Sequence, residues 1–404
     1  MYDVIVVGGG PVGSYLAYRM AHMGYKTVVI ERRDRIGEKS CCTGIISQEC
    51  ARSFSIEDNV VLRQANSACF FAPGGKTLWL RRPETQAIIV DRSAFDRNMA
   101  DRAKSEGVSY VLECLAGDVT RDYDRTIVTA QHQGRQSKFE GRVVVIASGF
   151  GFSLTRKLGL GQVGDFAAGA QAEVNTGINE VEVHFGGKIA PGFFAWLVPT
   201  TPGQALAGLL SRRSPGLYLQ RFLSSLQAQG KIVRLQRIKP RYGGIPLRPL
   251  VRTFADRMLV VGDAAGQVKP TTGGGIYYGL LCADIAATTL HQGLKTDDLS
   301  ARYLANYQRR WQQKLRRELV LGYRARQFYE RLTDDQIDRM FDIITSAGID
   351  KAVLTAKDFS FDWHGSVILR LLGHQAIVKT VETMKLPLSW SKGLFKFMER
   401  DGNE

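Results

Sequence analysis

Near the start of the chain and again near residue 260, short apolar runs are cut off by glycine. The run Tyr2–Val7 is almost wholly apolar and stops at Gly8, the pattern of a strand buried on both faces. From Pro11 the period changes: Val12, Leu16, Ala17, Met20 and Ala21 recur near helical spacing and Gly24 ends them, so a helix is predicted over 11–23. Residues 26–30 are a second apolar strand, closing on Glu31. Strand, glycine turn, helix, strand and acid together make a nucleotide-binding βαβ unit.

Further along, a helix is predicted over 93–106, strand-like stretches over 108–119, a polar hairpin turning at 122–125 and another apolar strand at 142–147. Residues 165–242 read as β-rich pieces, such as Val181-Glu182-Val183-His184-Phe185, with one helix near 217–229. A buried strand at 257–261 enters a second glycine-rich segment, a helix follows over 274–291, and from 297 the chain is largely helical.

A chain of 404 residues, 44% hydrophobic and 23% charged, has room for two domains and a helical tail. No stretch of about 18 residues is apolar enough to span a bilayer, and no secretory pattern is visible, so a cytoplasmic protein is expected. The six cysteines are scattered, none in a CxxC pair and none beside a histidine cluster, which argues against a metal site and for reduced thiols. The net charge of +15 is concentrated at 302–331, with Arg309, Arg310, Lys314, Arg316, Arg317, Arg324 and Arg326. An anionic membrane surface, an anionic substrate or a solvated helix face each accounts for it; no nucleic-acid motif accompanies it, and no nucleic-acid partner is expected.

In Gly8-Gly9-Gly10-Pro11-Val12-Gly13, Gly8 suits the tight turn, Gly10 lets the backbone approach a pyrophosphate, and Gly13 lets helix and strand pack closely. The helix that begins at Pro11 and Val12 turns free N–H groups to the phosphates. Glu31, 18 residues after Gly13 and followed by Arg32, stands where a carboxylate accepts from ribose hydroxyls, which selects FAD or NAD over NADP. The second segment, Gly262-Asp263-Ala264-Ala265-Gly266 with Gly273-Gly274-Gly275-Ile276, selects FAD. A strand delivers Asp263 toward a ribityl chain, and a helix opens toward an isoalloxazine whose reduced anion its positive end would stabilise. Val119, closing the 108–119 stretch, joins the cofactor candidates. Gly149-Phe150-Gly151 lacks the third glycine of a further dinucleotide loop, so the electron donor binds transiently or is a protein. The fold class expected is α/β: a Rossmann-type FAD domain (1–60, 91–164, 255–296) interrupted by an antiparallel β-rich substrate domain (61–90, 165–254), with a helical C-terminal region (297–404).

Four segments resemble the geranylgeranyl reductase family, within the p-hydroxybenzoate hydroxylase-like flavoproteins. Asp91-Arg92-Ser93-Ala94-Phe95-Asp96-Arg97 is similar to the family's DR-x-x-FD, which implies that Arg92 contacts the cofactor. The second glycine segment through Tyr277-Tyr278 is similar to GDAAG…P-x-TG-x-GI-YY; aromatic hydroxylases usually carry His where Gly266 stands and Asn where Ile276 stands. Pro191-Gly192-Phe193-Phe194-Ala195-Trp196-Leu197-Val198-Pro199 resembles P-x-x-Y-x-W-x-F-P, with Phe194 for Tyr and Val198 for Phe. Lys39-Ser40-Cys41-Cys42-Thr43-Gly44-Ile45-Ile46-Ser47 resembles C-x-G-x-x-S, and the alignment on Gly44 and Ser47 makes Cys42 the family cysteine.

The resemblance implies an FAD-dependent reductase that saturates C=C bonds of an isoprenoid chain on a lipid, prenyl diphosphate, quinone or chlorophyll precursor, by hydride from flavin N5 plus a proton. Cys42, Tyr277, Tyr278 or a bound water is the implied proton donor, with Cys42 also placed near the flavin. Phe193, Phe194, Trp196 and Pro199 are the implied substrate wall. NAD(P)H or ferredoxin is the expected electron donor, and peripheral contact with the inner face of the cell membrane is expected, aided by apolar patches at 367–372 and 386–397 with Trp390. The rival is a flavin-dependent monooxygenase or halogenase of the same fold, since halogenases carry W-x-W-x-I-P at the aromatic strand.

Overall fold

In a computed structural model, the residues described are 1–38, 41–151, 153–233, 239–355, 360–365 and 368–369. Lys39, Ser40 and most of the apolar tail, including Trp390, lie outside them. The chain forms two compact units. The first comprises residues 1–63, 88–169 and 241–319; the second, residues 64–87, 170–240 and 320–404.

The first unit is built on a parallel sheet whose strands run in the order Met258–Val260, Arg135–Ile146, Tyr2–Val7, Thr27–Ile30, Ser109–Val111, with Phe254–Ala255 antiparallel at one edge. Val4, Ile5 and Val6 have no exposed surface, as a strand covered on both faces requires. The apolar segment expected over 142–147 is the end of a twelve-residue strand, Arg135–Ile146. Its first half pairs antiparallel with Thr126–His132 and alternates in exposure. Its second half pairs parallel with Tyr2–Val7 and is buried on both sides, so one strand carries two hydrophobic periods. The 108–119 stretch is likewise two strands, Ser109–Val111 and Cys114–Arg121, parted at Glu113, whose φ is +52°. Helix Pro11–His22 packs on helix Ile276–Lys295: Tyr15 Oη donates to Asp284 Oδ1 at 3.1 Å, and Arg19 pairs with the same carboxylate. Asp284 thus has a partner for its charge in the middle of an apolar helix.

The second unit is a mostly antiparallel sheet in the order Phe166–Asn175, Gln204–Ser211, Phe194–Pro199, Val181–Phe185, Ser67–Phe71, Thr77–Arg81; Val181–Phe185 and Ser67–Phe71 pair parallel. Strand alternation divides its faces. Ala195 and Leu197 pack with Leu219 and Phe222 of helix Pro215–Ala228, while Phe185, Phe194 and Trp196 point to the opposite face. On the helix side the sheet buries charge. His184 Nε2 lies 2.9 Å from Glu182 Oε2, and Lys231 Nζ donates to both Glu182 oxygens at 2.8 Å.

Burial opposes ionisation of Glu182, but the hydrogen bonds from His184 and Lys231 outweigh it and hold the carboxyl below its ordinary 4.5. Burial also lowers His184 below 6.5, against the pull of Glu182. Both folded-state values are depressed, so both contributions to stability are present above the unfolded values and are lost as pH falls. We expect the melting temperature to drop between about pH 6.5 and 4. A Glu182→Gln variant should be about 3 kcal/mol less stable at pH 7 and should lose stability more steeply below about pH 6.5, because His184 then lacks the carboxylate that favours its protonation. Calorimetry over the pH series measures both.

Candidate functional site

The first glycine loop follows the central strand. A Cβ on Gly8, whose φ is +113°, would come within 2.3 Å of the Ala147 carbonyl oxygen, and one on Gly13 within 2.1 Å of the Gly8 carbonyl oxygen. A Cβ on Gly10 would meet nothing within 4 Å among the described residues. Two glycines therefore close the turn and the third leaves it open, where a phosphate can approach the backbone. Helix Pro11–His22 has no side-chain cap among the described residues, so its first N–H groups remain available. Glu31 braces the loop: Oε2 accepts from Gly9 N–H at 2.8 Å and Oε1 from Arg33 N–H at 3.0 Å. Arg32 is exposed.

The second segment meets the first through Val12. A Cβ on Gly262 would lie 3.2 Å from Val12, and one on Gly279 2.6 Å from it. The valine fills the space that both glycines leave, which brings Gly262-Asp263 and the start of helix Ile276–Lys295 against the phosphate loop. Gly262, Gly266 and Gly273 all have φ between +67° and +75°, and a side chain on Gly266 would strike the Arg248 carbonyl at 2.4 Å. Gln267 Oε1 accepts from Gly262 N–H at 2.8 Å; its Nε2 donates to Tyr307 Oη, which in turn donates to the Val260 carbonyl at 3.0 Å. Asp263 lies against the helix start, its Oδ1 2.7 Å from where a Gly275 Cβ would sit. Burial pushes its carboxyl up while Arg92 pulls it down. This helix too has no side-chain cap among the described residues. Lys269, 5% exposed, packs against Gly274.

The two vicinal cysteines differ. Cys41 Sγ donates to the Arg241 carbonyl at 3.4 Å, and burial holds its thiol up at about 11. Cys42 Sγ instead accepts, from Gly44 N–H at 3.4 Å and from Arg92. Arg92 also grips Asp96, with Nη2 2.9 Å and Nε 3.1 Å from Oδ1. Burial works against the guanidinium charge, but Asp96 outweighs it and keeps Arg92 above its ordinary value. Tyr277 Oη donates to Glu49 Oε1 at 2.5 Å, and Tyr278 is 1% exposed. Ile276 opens the helix that carries both tyrosines. The Val119 side chain belongs to the core of the sheet, and its N–H donates to Asp118 Oδ1.

In the second unit, Phe194 and Trp196 are half-buried, with ring centroids 5.9 Å apart. The indole lies on Gly208, where a Cβ would be 2.6 Å from the ring, and its Nε1 donates to Gln171 Oε1 at 3.3 Å. Phe193 is apart from them: it is 1% exposed, Arg326 stacks 3.5 Å from its ring centroid, and its carbonyl accepts from Tyr329 Oη. Pro199 is buried at the strand end.

Gly279, Gln267, Tyr307, Lys269, Glu49, Gly208 and Gln171 were not singled out as site residues from the sequence. Of these, Gly279 carried a readable sign, a glycine inside an otherwise apolar helix.

Residues 3–156 match the family model described as FAD dependent oxidoreductase. Over 374 residues the chain is 30% identical to the digeranylgeranylglycerophospholipid reductase of Methanocaldococcus jannaschii, covering 88% of this chain and 96% of that one. The chain belongs to the geranylgeranyl reductase family. A reductase of the same name (number 2) in Methanothermobacter thermautotrophicus is 31% identical, over 84% of this chain and 90% of its own. The fold is that of a solved geranylgeranyl bacteriochlorophyll reductase-like protein from Thermoplasma acidophilum: TM-score 0.83, 23% identity, covering 95% of this chain and 98% of that one. It is shared more distantly with the flavin-dependent halogenase CmlS, at TM-score 0.67 and 19% identity over 95% of this chain and 77% of that one. Membership makes the chain an FAD-dependent oxidoreductase. The open Gly10, the two uncapped helix starts and Asp263 fit that cofactor.

We expect Gly10→Val and Gly279→Val each to yield colourless protein, the first by filling the phosphate approach and the second by displacing Val12. The overpacked Gly279 variant should also lose about 1–3 kcal/mol. Gly24→Ala, at a positive-φ turn with open space around it, should keep full flavin content. Absorbance at 450 nm per protein distinguishes the three.

Proposed function

We propose that this enzyme saturates isolated C=C bonds in the isoprenoid chains of a membrane lipid of the digeranylgeranylglycerophospholipid type. The observation that carries the reading is the Val12 lock between two glycine segments, in a chain that covers nearly all of a reductase of that name. Bound and reduced, FAD supplies the hydride. The residues do the rest. The two uncapped helix starts would stabilise negative charge on the bound cofactor, one at Pro11 and one at Ile276 beside Asp263. Cys42 gives its thiol proton to the alkene carbon, and Gly44 N–H and Arg92, already aimed at its sulfur, stabilise the thiolate left behind. Cys41, a donor to Arg241, stays a neutral thiol. Tyr277, with its proton directed at Glu49, is the second donor candidate, ahead of the enclosed Tyr278.

Phe194 and Trp196 form the wall for the greasy chain, and Gly208 with Gln171 sets the indole plane. Phe193 anchors Arg326 and is set aside from that wall. Arg92 turns its remaining donor capacity to the cofactor, and Val119 is set aside from the cofactor contacts. The electron donor, NAD(P)H or a ferredoxin, binds transiently. The lipid substrate places the enzyme at the inner face of the cell membrane; among the described residues no helix is long and apolar enough to cross it. Gly266 argues against the halogenase reading, since the Arg248 carbonyl leaves no room for the histidine that hydroxylases usually carry there.

Mass spectrometry of isoprenoid lipids incubated with dithionite-reduced protein should show gains in steps of about two hydrogens; oxygenated or halogenated products with O2 would instead support the rival. Cys42→Ala should reduce alkene turnover about a hundredfold while flavin content and dithionite bleaching stay normal. Trp196→Ala and Gly208→Ala should slow long-chain substrates more than flavin reduction. Equal losses in both would assign the strand to folding alone.

A further inference from the structure

Six exposed cations lie along residues 302–317 of one helix. In helix Ala301–Tyr329 the inward stripe is Leu304, Tyr307, Trp311 and Leu315, all at most 1% exposed. The opposite side exposes Arg302, Arg309, Arg310, Lys314, Arg316 and Arg317, and residues 301–317 contain no acid. At the helix start Asp256 accepts from Ala301 N–H and Asp298 from Ser300, and the first acid within the helix is the half-buried Glu318.

An apolar tip adjoins this face. Gln308 Nε2 donates to the Val251 carbonyl at 3.1 Å, Gln308 Oε1 accepts from Thr253 N–H at 2.8 Å, and Trp311 Nε1 donates to Thr253 Oγ1 at 3.1 Å. These bonds tie the 251–253 loop to the turn that carries Arg309 and Arg310. Val251 is 92% exposed there, between the exposed Arg252 and the Pro249-Leu250 turn that follows the exposed Arg248.

We infer that this face, Arg302 to Arg317 with the Val251 tip, docks the enzyme on an anionic bilayer, the cations on phosphate headgroups and the valine among them. The inference rests on the lipid-reductase reading and names the surface through which that enzyme meets its membrane. A bilayer suits the face better than an acidic redox protein does. It is an extended charge stripe over several helical turns, and the hydrophobic residue beside it protrudes rather than lining a hollow. Each basic residue near such a surface strengthens partition about fivefold, and salt screens the gain.

The test is co-sedimentation of the full-length holoenzyme with vesicles of phosphatidylcholine alone or with a quarter phosphatidylglycerol. Wild type should pellet with the anionic vesicles only and lose at least tenfold in affinity from 50 to 500 mM NaCl. A quadruple variant (Arg309→Gln, Arg310→Gln, Lys314→Gln, Arg317→Gln) should lose more than tenfold with its flavin absorbance retained, and Val251→Asp, at a site too exposed to disturb packing, should lose several-fold. Equal binding to both vesicle types, or undiminished binding by the quadruple variant, overturns the inference. So does a variant that binds vesicles as wild type does but accepts electrons more slowly from a reduced ferredoxin, which would assign the face to a redox protein. Turnover of detergent-dispersed geranylgeranyl diphosphate separates the two readings. The quadruple variant should keep it. Wild type that binds vesicles but reduces no prenyl chain would sink the enzymatic reading and leave the docking face standing.

Discussion

The site depends on one steric fact: the Val12 side chain occupies the room left by the missing side chains of Gly262 and Gly279. Without that contact, the two glycine segments, about 250 residues apart, have no reason to share a cofactor. With it, the strand Tyr2–Val7, the strand Met258–Val260 and the helices that follow them aim two uncapped N-termini from one sheet. The contact is unforgiving because protein interiors are close-packed, and a methyl group 2.6 Å from the β-branched Val12 side chain has no soft way out.

Polar groups around this lock satisfy the loops and leave the site itself open. Glu31 uses both oxygens on backbone N–H groups, and Gln267 and Tyr307 carry a buried chain of hydrogen bonds from Gly262 to Val260. Adjacent thiols are differentiated by hydrogen-bond direction and by burial: a carbonyl in front of Cys41, whose thiol burial pushes up, and donors in front of Cys42. Buried charges are handled in the same manner in the second unit, where Glu182 is flanked by Lys231 and His184, so the sheet can carry polar residues on one face and an aromatic row on the other.

The α/β class, the split nucleotide fold and the helical end were readable from local patterns, because burial of a strand or one stripe of a helix writes its period into consecutive residues. The glycine turn between the strand Tyr2–Val7 and the helix Pro11–His22 was readable for the same reason: it is only a few residues long. Arg135–Ile146 was half missed, since its two halves obey different periods in different neighbours' company. The burial of Phe193 and Val119 was not readable, because an aromatic beside a motif and an apolar strand end look alike whether they face a ligand or a core.

By itself, then, the chain's order of residues determined most of the elements, the glycine turn after the first strand and the cationic surplus, all of which depend on near neighbours or on composition. Which residue fills which gap was decided by tertiary structure alone. Gly279 opposite Val12, Gly208 beneath Trp196, Glu49 on Tyr277 and the Val251 tip beside Arg309 join positions from 12 to more than 200 residues apart. Such pairings leave no periodic trace, because a contact between distant segments constrains two side chains and nothing in between.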